Sequence, residues 1–94
     1  MSIADYTPSY SDRTYPYPYI THDREVGATY VYLSGAVITE TRELDDHRMV
    51  DYAADGSAVG VEFLGVIRMP DLDGIPQREA IEPLLRAAGL ISNE

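Results

Sequence analysis

The sequence has no cysteine, no lysine and no tryptophan, and a single phenylalanine. Without cysteine it can form neither disulfides nor thiolate metal sites, so a cytoplasmic setting is expected. It has no run of about 18 apolar residues to span a bilayer, and no basic-then-apolar signal segment opens it. A membrane association is not expected. The lack of lysine leaves seven arginines against 16 acidic residues, a formal charge of −9. Such a chain is poorly suited to a phosphate backbone, whose binding needs cations to displace counterions, so direct nucleic-acid binding is not expected. The acidity suits solubility, a basic protein partner, or a phage-encoded modulator that masks a host nucleic-acid-binding protein.

Tyrosine is what the chain has in excess, with eight copies. Residues 1–21 form a Tyr/Pro-rich N-terminal arm with no apolar periodicity over residues 6–12. Tyr15-Pro16-Tyr17-Pro18-Tyr19-Ile20 cannot be helical, because each proline pushes its predecessor out of the α region. In an extended segment Tyr15, Tyr17 and Tyr19 share one face and one hydrogen-bonding edge, while Pro16 and Pro18 leave the opposite edge without donors. Two readings follow: an edge strand or arm tied to its own or a dimer mate's sheet, or a recognition arm that uses the large, low-entropy contact area of tyrosine.

Residues 22–67 carry four apolar runs separated by turn signals, which predicts a four-stranded antiparallel β-meander. A loop at His22, Asp23, Arg24, Glu25 and Gly27 leads into Thr29-Tyr30-Val31-Tyr32-Leu33, β-branched and aromatic almost throughout. Ser34-Gly35 is expected as a tight turn into a half-exposed second strand over residues 37–44. Asp45-Asp46 turns the chain into Arg48-Met49-Val50-Asp51-Tyr52, and Asp55-Gly56 is the strongest hairpin signal. The last strand, residues 58–66, places Val59, Val61 and Phe63 on one face and Gly60, Glu62 and Leu64 on the other. Residues 68–94 are a loop and a C-terminal helix of the same domain. Ile81, Leu84, Leu85 and Ala88 fall at helical spacing and Gly89 is a C-cap, while Pro83 either kinks the helix or starts a second one. The fold class is α+β, with the helix packed on one sheet face.

Catalytic and metal chemistry find little support. Glu40, Glu43, Asp51 and Glu62 could converge on one sheet face, but charges on a half-exposed sheet more often solvate it or pair with Arg42 and Arg48. Asp71-Leu72-Asp73-Gly74 imitates the start of a calcium loop, yet Pro76 stands where the sharp turn needs glycine. His22 and His47 have no partners at ligand spacing. No enzymatic activity and no cofactor are expected.

Residues 23–33, Glu40-Thr41-Arg42-Glu43-Leu44-Asp45-Asp46, Asp51-Tyr52, Asp55-Gly56 and Val59-Gly60-Val61-Glu62-Phe63-Leu64-Gly65 together resemble a family of small bacterial and phage domains. It is catalogued as domain of unknown function 2283, and the resemblance covers roughly residues 22–67. Gly27 and Ala53 stand where the family usually has Asp. The resemblance implies a compact β-meander and, because members often resemble one half of a gene pair with a toxin-like product, an antitoxin-like role. The expectation is therefore a protein-interaction module, self-associating with a dimer favoured, and open to a basic protein partner. Tyr15, Tyr17, Tyr19, Tyr30 and Tyr32 are the expected partner-binding residues. Which sheet face the helix covers is left open, since both carry apolar groups.

Overall fold

In the computed structural model, which describes residues 17–65 and 70–90, five strands precede one helix. They are β1 (Tyr19–Asp23), β2 (Ala28–Tyr32), β3 (Glu40–Asp45), β4 (Arg48–Tyr52), β5 (Ala58–Leu64) and α1 (Arg78–Ala87). The class is α+β as expected, but the sheet has five strands rather than four, and its order is β1-β2-β5-β4-β3, antiparallel throughout.

Two corrections explain that order. His22 and Asp23 belong to β1 instead of a loop, and β1 pairs with β2 from Tyr19↔Tyr32 to Asp23↔Ala28. The turn is closed by Gly27, whose N–H donates to the Asp23 carbonyl at 2.8 Å. The second correction concerns Ser34-Gly35, which does not turn β2 back onto β3. Residues 33–39 instead cross the end of the sheet, with the Leu33 N–H on the Val59 carbonyl and the Thr39 N–H on the Tyr52 carbonyl, each at 2.8 Å. Three interstrand steps amount to about 14 Å, within the reach of a link this long. Only β3–β4–β5 is a meander, and β2 lies beside its last strand, a Greek-key arrangement traced in reverse.

Hydrophobicity decides the arrangement. β5 offers Val61 and Phe63 to the core and takes the centre, whereas β3 (ETRELD) is exposed at every residue and is stable only as an edge. Val37 and Ile38, expected in a strand, lie in the crossing link and are 78% and 46% exposed. Between β4 and β5 the Gly56 N–H reaches the Ala53 carbonyl at 2.9 Å, and Gly56 adopts φ +90°, the left-handed conformation that the Asp55-Gly56 signal requires.

Ile81, Leu85 and Leu90 pack with Leu72 and Ile75 against Val31, Leu33, Val50, Val61 and Phe63. Each fully buried aliphatic side chain contributes about 1.5–3 kcal/mol by transfer from water. The helix runs through Pro83 without a break into two. Pro83 and Glu79 are both exposed, so the Glu79 carbonyl that loses its intrahelical donor can be hydrated. At the C-terminus the Leu90 N–H meets the Leu85 carbonyl at 2.9 Å and the Gly89 N–H meets the Arg86 carbonyl at 3.0 Å. With Gly89 at φ +82° this is a Schellman motif, and its apolar contact joins Leu85 to Leu90 inside the core. Ala88, expected in the apolar stripe, is exposed instead. Among the described residues no helix is long and apolar enough to cross a membrane.

Arg48 ties the loop before α1 to the sheet. Its Nε donates to Asp45 Oδ2 at 2.9 Å, and one terminal nitrogen donates to the carbonyls of Asp71 (3.0 Å) and Asp73 (2.7 Å). Arg48→Met is expected to cost about 1–3 kcal/mol, the usual loss when charge-assisted bonds to backbone go unreplaced. Amide exchange at Asp73 and Ile75, whose N–H groups bond within this loop, should accelerate. Unchanged exchange there would show that the loop holds itself in place.

Candidate functional site

Alternation along β2 settles which face is which. Thr29 and Val31 are fully buried and Val31 packs with Ile81 and Leu85 of α1, so Tyr30 and Tyr32 stand on the opposite face. The buried Thr29 hydroxyl is satisfied by His22 Nδ1 on β1 at 2.6 Å. Cross-strand register then assembles the open face: Tyr19 beside Tyr32, Tyr30 beside Glu62, and Tyr32, Gly60, Asp51 and Thr41 in one row across four strands. No element among the described residues packs on this face, and its tyrosines are half-buried.

The rings form one contiguous group. Tyr19 and Tyr32 stack at 4.6 Å between centroids with 9° between planes, and Tyr30 meets Tyr32 edge-on, also at 4.6 Å. Each such pair adds about 0.5–1.5 kcal/mol beyond area burial. Tyr17 joins at 5.5 Å from Tyr19, with its hydroxyl beside Gly35 of the crossing link. Tyr17 and Pro18 make a bend and not the continuous extended segment expected, and the strand starts at Tyr19. Tyr15 lies outside the described residues.

Gly60 explains the posture of Tyr30. A Cβ at position 60 would overlap the Tyr30 phenol, including Cε2 at 2.6 Å, so the tyrosine lies across β5 in the space glycine leaves open. From there its hydroxyl donates to Asp51 Oδ2 on β4 at 2.5 Å, while the Thr41 hydroxyl on β3 donates to Oδ1 at 2.5 Å. Asp51 thus holds two hydroxyls, one from each side. Asp51 was among the carboxylates expected to converge on one face, whereas Gly60 and Thr41 were not evident as site residues in the sequence. A glycine inside an otherwise apolar strand was the available sign of a close approach.

Burial raises the Tyr30 pKa well above the ordinary phenol value, reinforced by the hydrogen bond to Asp51 and the negative charges of Asp51, Tyr32 and Glu62. The folded protein therefore holds this proton more tightly than the unfolded chain. The contribution is complete below about pH 10, the unfolded phenol pKa, and is lost as pH rises toward the folded value. Tyr30 should ionise above the pH of an unperturbed phenol when its ring resonances are followed by NMR, and Tyr30→Phe should reduce the alkaline loss of stability. Ionisation of Tyr30 together with exposed tyrosines would contradict this environment.

Charge divides by face. Asp23, Glu43, Asp51 and Glu62 share the tyrosine face by register, whereas the sheet arginines Arg42 and Arg48 fall on the other. Glu40 does not join the other carboxylates. It pairs with Arg42 at 2.8 Å, and that guanidinium stands 5.2 Å over the Tyr52 ring. Asp45 pairs with Arg48, and Asp71 Oδ1 accepts the Asp73 N–H in a local turn. Among the described residues no three His, Asp or Glu side chains are grouped so as to hold a metal ion.

The family model described as "Protein of unknown function (DUF2283)" matches residues 20–66, half of the 94-residue chain. The chain belongs to the DUF2283 family. The DUF2283 segment begins within β1 and ends just beyond β5, so it comprises almost the whole sheet and leaves α1 outside. Tyr30, Tyr32, Thr41, Asp51, Gly60 and Glu62 lie inside it, while Tyr17 and Tyr19 precede it. No match was found among curated proteins or among solved structures.

Proposed function

We propose that this DUF2283 protein is a cytoplasmic, non-enzymatic protein-interaction module, antitoxin-like or accessory in role, that holds a basic protein partner on the tyrosine face of its sheet. The observation that carries this reading is the contiguous Tyr19–Tyr32–Tyr30 group on a face that no described element covers. Aromatic rings with polar tips are the side chains that most often anchor protein interfaces. Four carboxylates and no sheet arginine on that face favour a cationic partner. The same charges disfavour joining two copies face to face, since a two-fold axis would set the carboxylates of one copy against those of the other. Self-association, with a dimer expected, is better served by the N-terminal arm and the outer edge of β1.

The test is affinity purification of the tagged full chain from the cells that encode it, beside Tyr19→Ser/Tyr32→Ser and an opposite-face control, Arg42→Ser. A basic protein retained in stoichiometric amount by the wild type and the control, and lost by the tyrosine variant, is the expected result. Equal retention by all three, with folding verified by circular dichroism, would remove the tyrosine face from the interaction. Light-scattering mass of the full chain against a form starting at Ile20 separately tests the arm: the expected change is from dimer to monomer.

A further inference from the structure

The tyrosine face carries a more specific feature than general stickiness, and it rests on the reading of that face as the partner surface. Tyr30 lies across Gly60 with its hydroxyl fixed on Asp51, and part of its ring remains exposed on the open face. Tyr32 meets it at 65° and, backed by the parallel Tyr19 ring, stands as a wall beside this floor. Glu62 is the direct cross-strand neighbour of Tyr30 and is half-buried. Its carboxylate has no hydrogen bond or ion pair among the described residues, unlike Asp51, whose two oxygens are both occupied. The half-buried, unpaired carboxylate therefore lies beside a partly exposed tyrosine ring that adjoins a stacked aromatic pair.

We infer that this cradle receives the guanidinium of an arginine side chain from the protein partner. A guanidinium is planar, weakly hydrated and always charged, so it can stack on the Tyr30 ring while donating two parallel N–H groups to Glu62. An ammonium is compact and strongly hydrated; it would gain the charge attraction but not the stacking. A nucleobase could also stack on the ring, yet its phosphates would meet Asp23, Glu43, Asp51 and Glu62. Of the described arginines of a second copy, Arg42, Arg48 and Arg86 are already paired, which leaves Arg24 and Arg78 as the source that the concentration series without peptide tests.

The experiment titrates the full chain at low salt with a capped peptide of alternating glycine and arginine, the same peptide with lysine, and the same peptide with citrulline. Tyr30 and Tyr32 ring resonances and the Glu62 amide are followed by NMR. Saturable shifts centred on these three residues are expected with the arginine peptide. Binding should be about threefold or more weaker with lysine, as expected from loss of an exposed cation–π contact, and abolished with citrulline. Glu62→Gln should weaken the arginine peptide about fivefold, in the range of a partly buried ion pair, while Glu40→Gln on the other face changes nothing. Equal responses to arginine and lysine, equal effects of the two glutamine variants, or shifts that appear on concentrating the protein without peptide would each overturn the inference. If a partner is still captured through Tyr19 and Tyr32 while the arginine peptide fails to bind, the interaction face stands and the arginine cradle falls.

Discussion

Gly60→Ala will destabilise the wild-type protein by about 1–3 kcal/mol, the cost of forcing a methyl group into occupied space. The same substitution will stabilise a Tyr30→Ala background. In the wild type the new Cβ meets the Tyr30 phenol, so the ring must leave its place over β5 and the hydroxyl must leave Asp51. Asp51 then keeps only the Thr41 hydroxyl. With the ring removed, the three atoms nearest the new Cβ are gone, and alanine gains over glycine the usual entropic advantage of about 0.5–1 kcal/mol in a regular element. Urea unfolding of the four proteins in this double-mutant cycle measures the change of sign directly. Additive effects would mean that Gly60 and Tyr30 do not share the space assigned to them, and the cradle would lose its floor.

Phe63→Ala is the variant expected to bring the protein nearest to unfolding. Phe63 is fully buried on the central strand, between Thr29 of β2 and Arg48 of β4, and belongs to the cluster that joins sheet to helix. Truncating such a side chain costs about 3–5 kcal/mol, against a total of roughly 5–14 kcal/mol for a chain of this length. A fall in Tm of roughly 15–30 °C follows from the entropy of unfolding typical of this size. Val37→Ser in the crossing link removes a branched aliphatic side chain that is 78% exposed and should change stability by less than about 0.5 kcal/mol. A loss under about 1 kcal/mol for Phe63→Ala would mean that α1 and β5 do not share a core.

Much of the architecture was legible because local patterns and the tertiary fold agree. The alternation of Val59, Val61 and Phe63, the Asp55-Gly56 hairpin and the helical spacing of Ile81 and Leu85 each point to the element that forms. Strand pairing was less legible. Ser34-Gly35 has the composition of a tight turn, but turn composition reports local backbone freedom and is blind to which strand waits beyond it. β2 passes over β3 because β5 offers it an apolar neighbour in Val61, while β3 carries charge at four of its six positions. The Tyr-Pro run was readable as an edge strand at Tyr19 and Ile20, yet the continuation through Asp23 was hidden by polar residues that an edge tolerates.

By itself the sequence determined composition-level properties and local structure: an acidic, tyrosine-rich α+β domain, most of its strands, its helix and its family segment. These depend on periodicity, propensity and motif, which neighbouring residues already carry. Only the tertiary structure decided that Val31 and Leu33 meet the helix while Tyr30 and Tyr32 do not, because both sets alternate equally well along one strand. It also decided that Tyr30 reaches Asp51 over Gly60, three residues from three strands with the bonded pair 21 positions apart. Contacts of that kind are fixed by strand order and register, and those follow from the apolar demand of the whole core and not from any one segment.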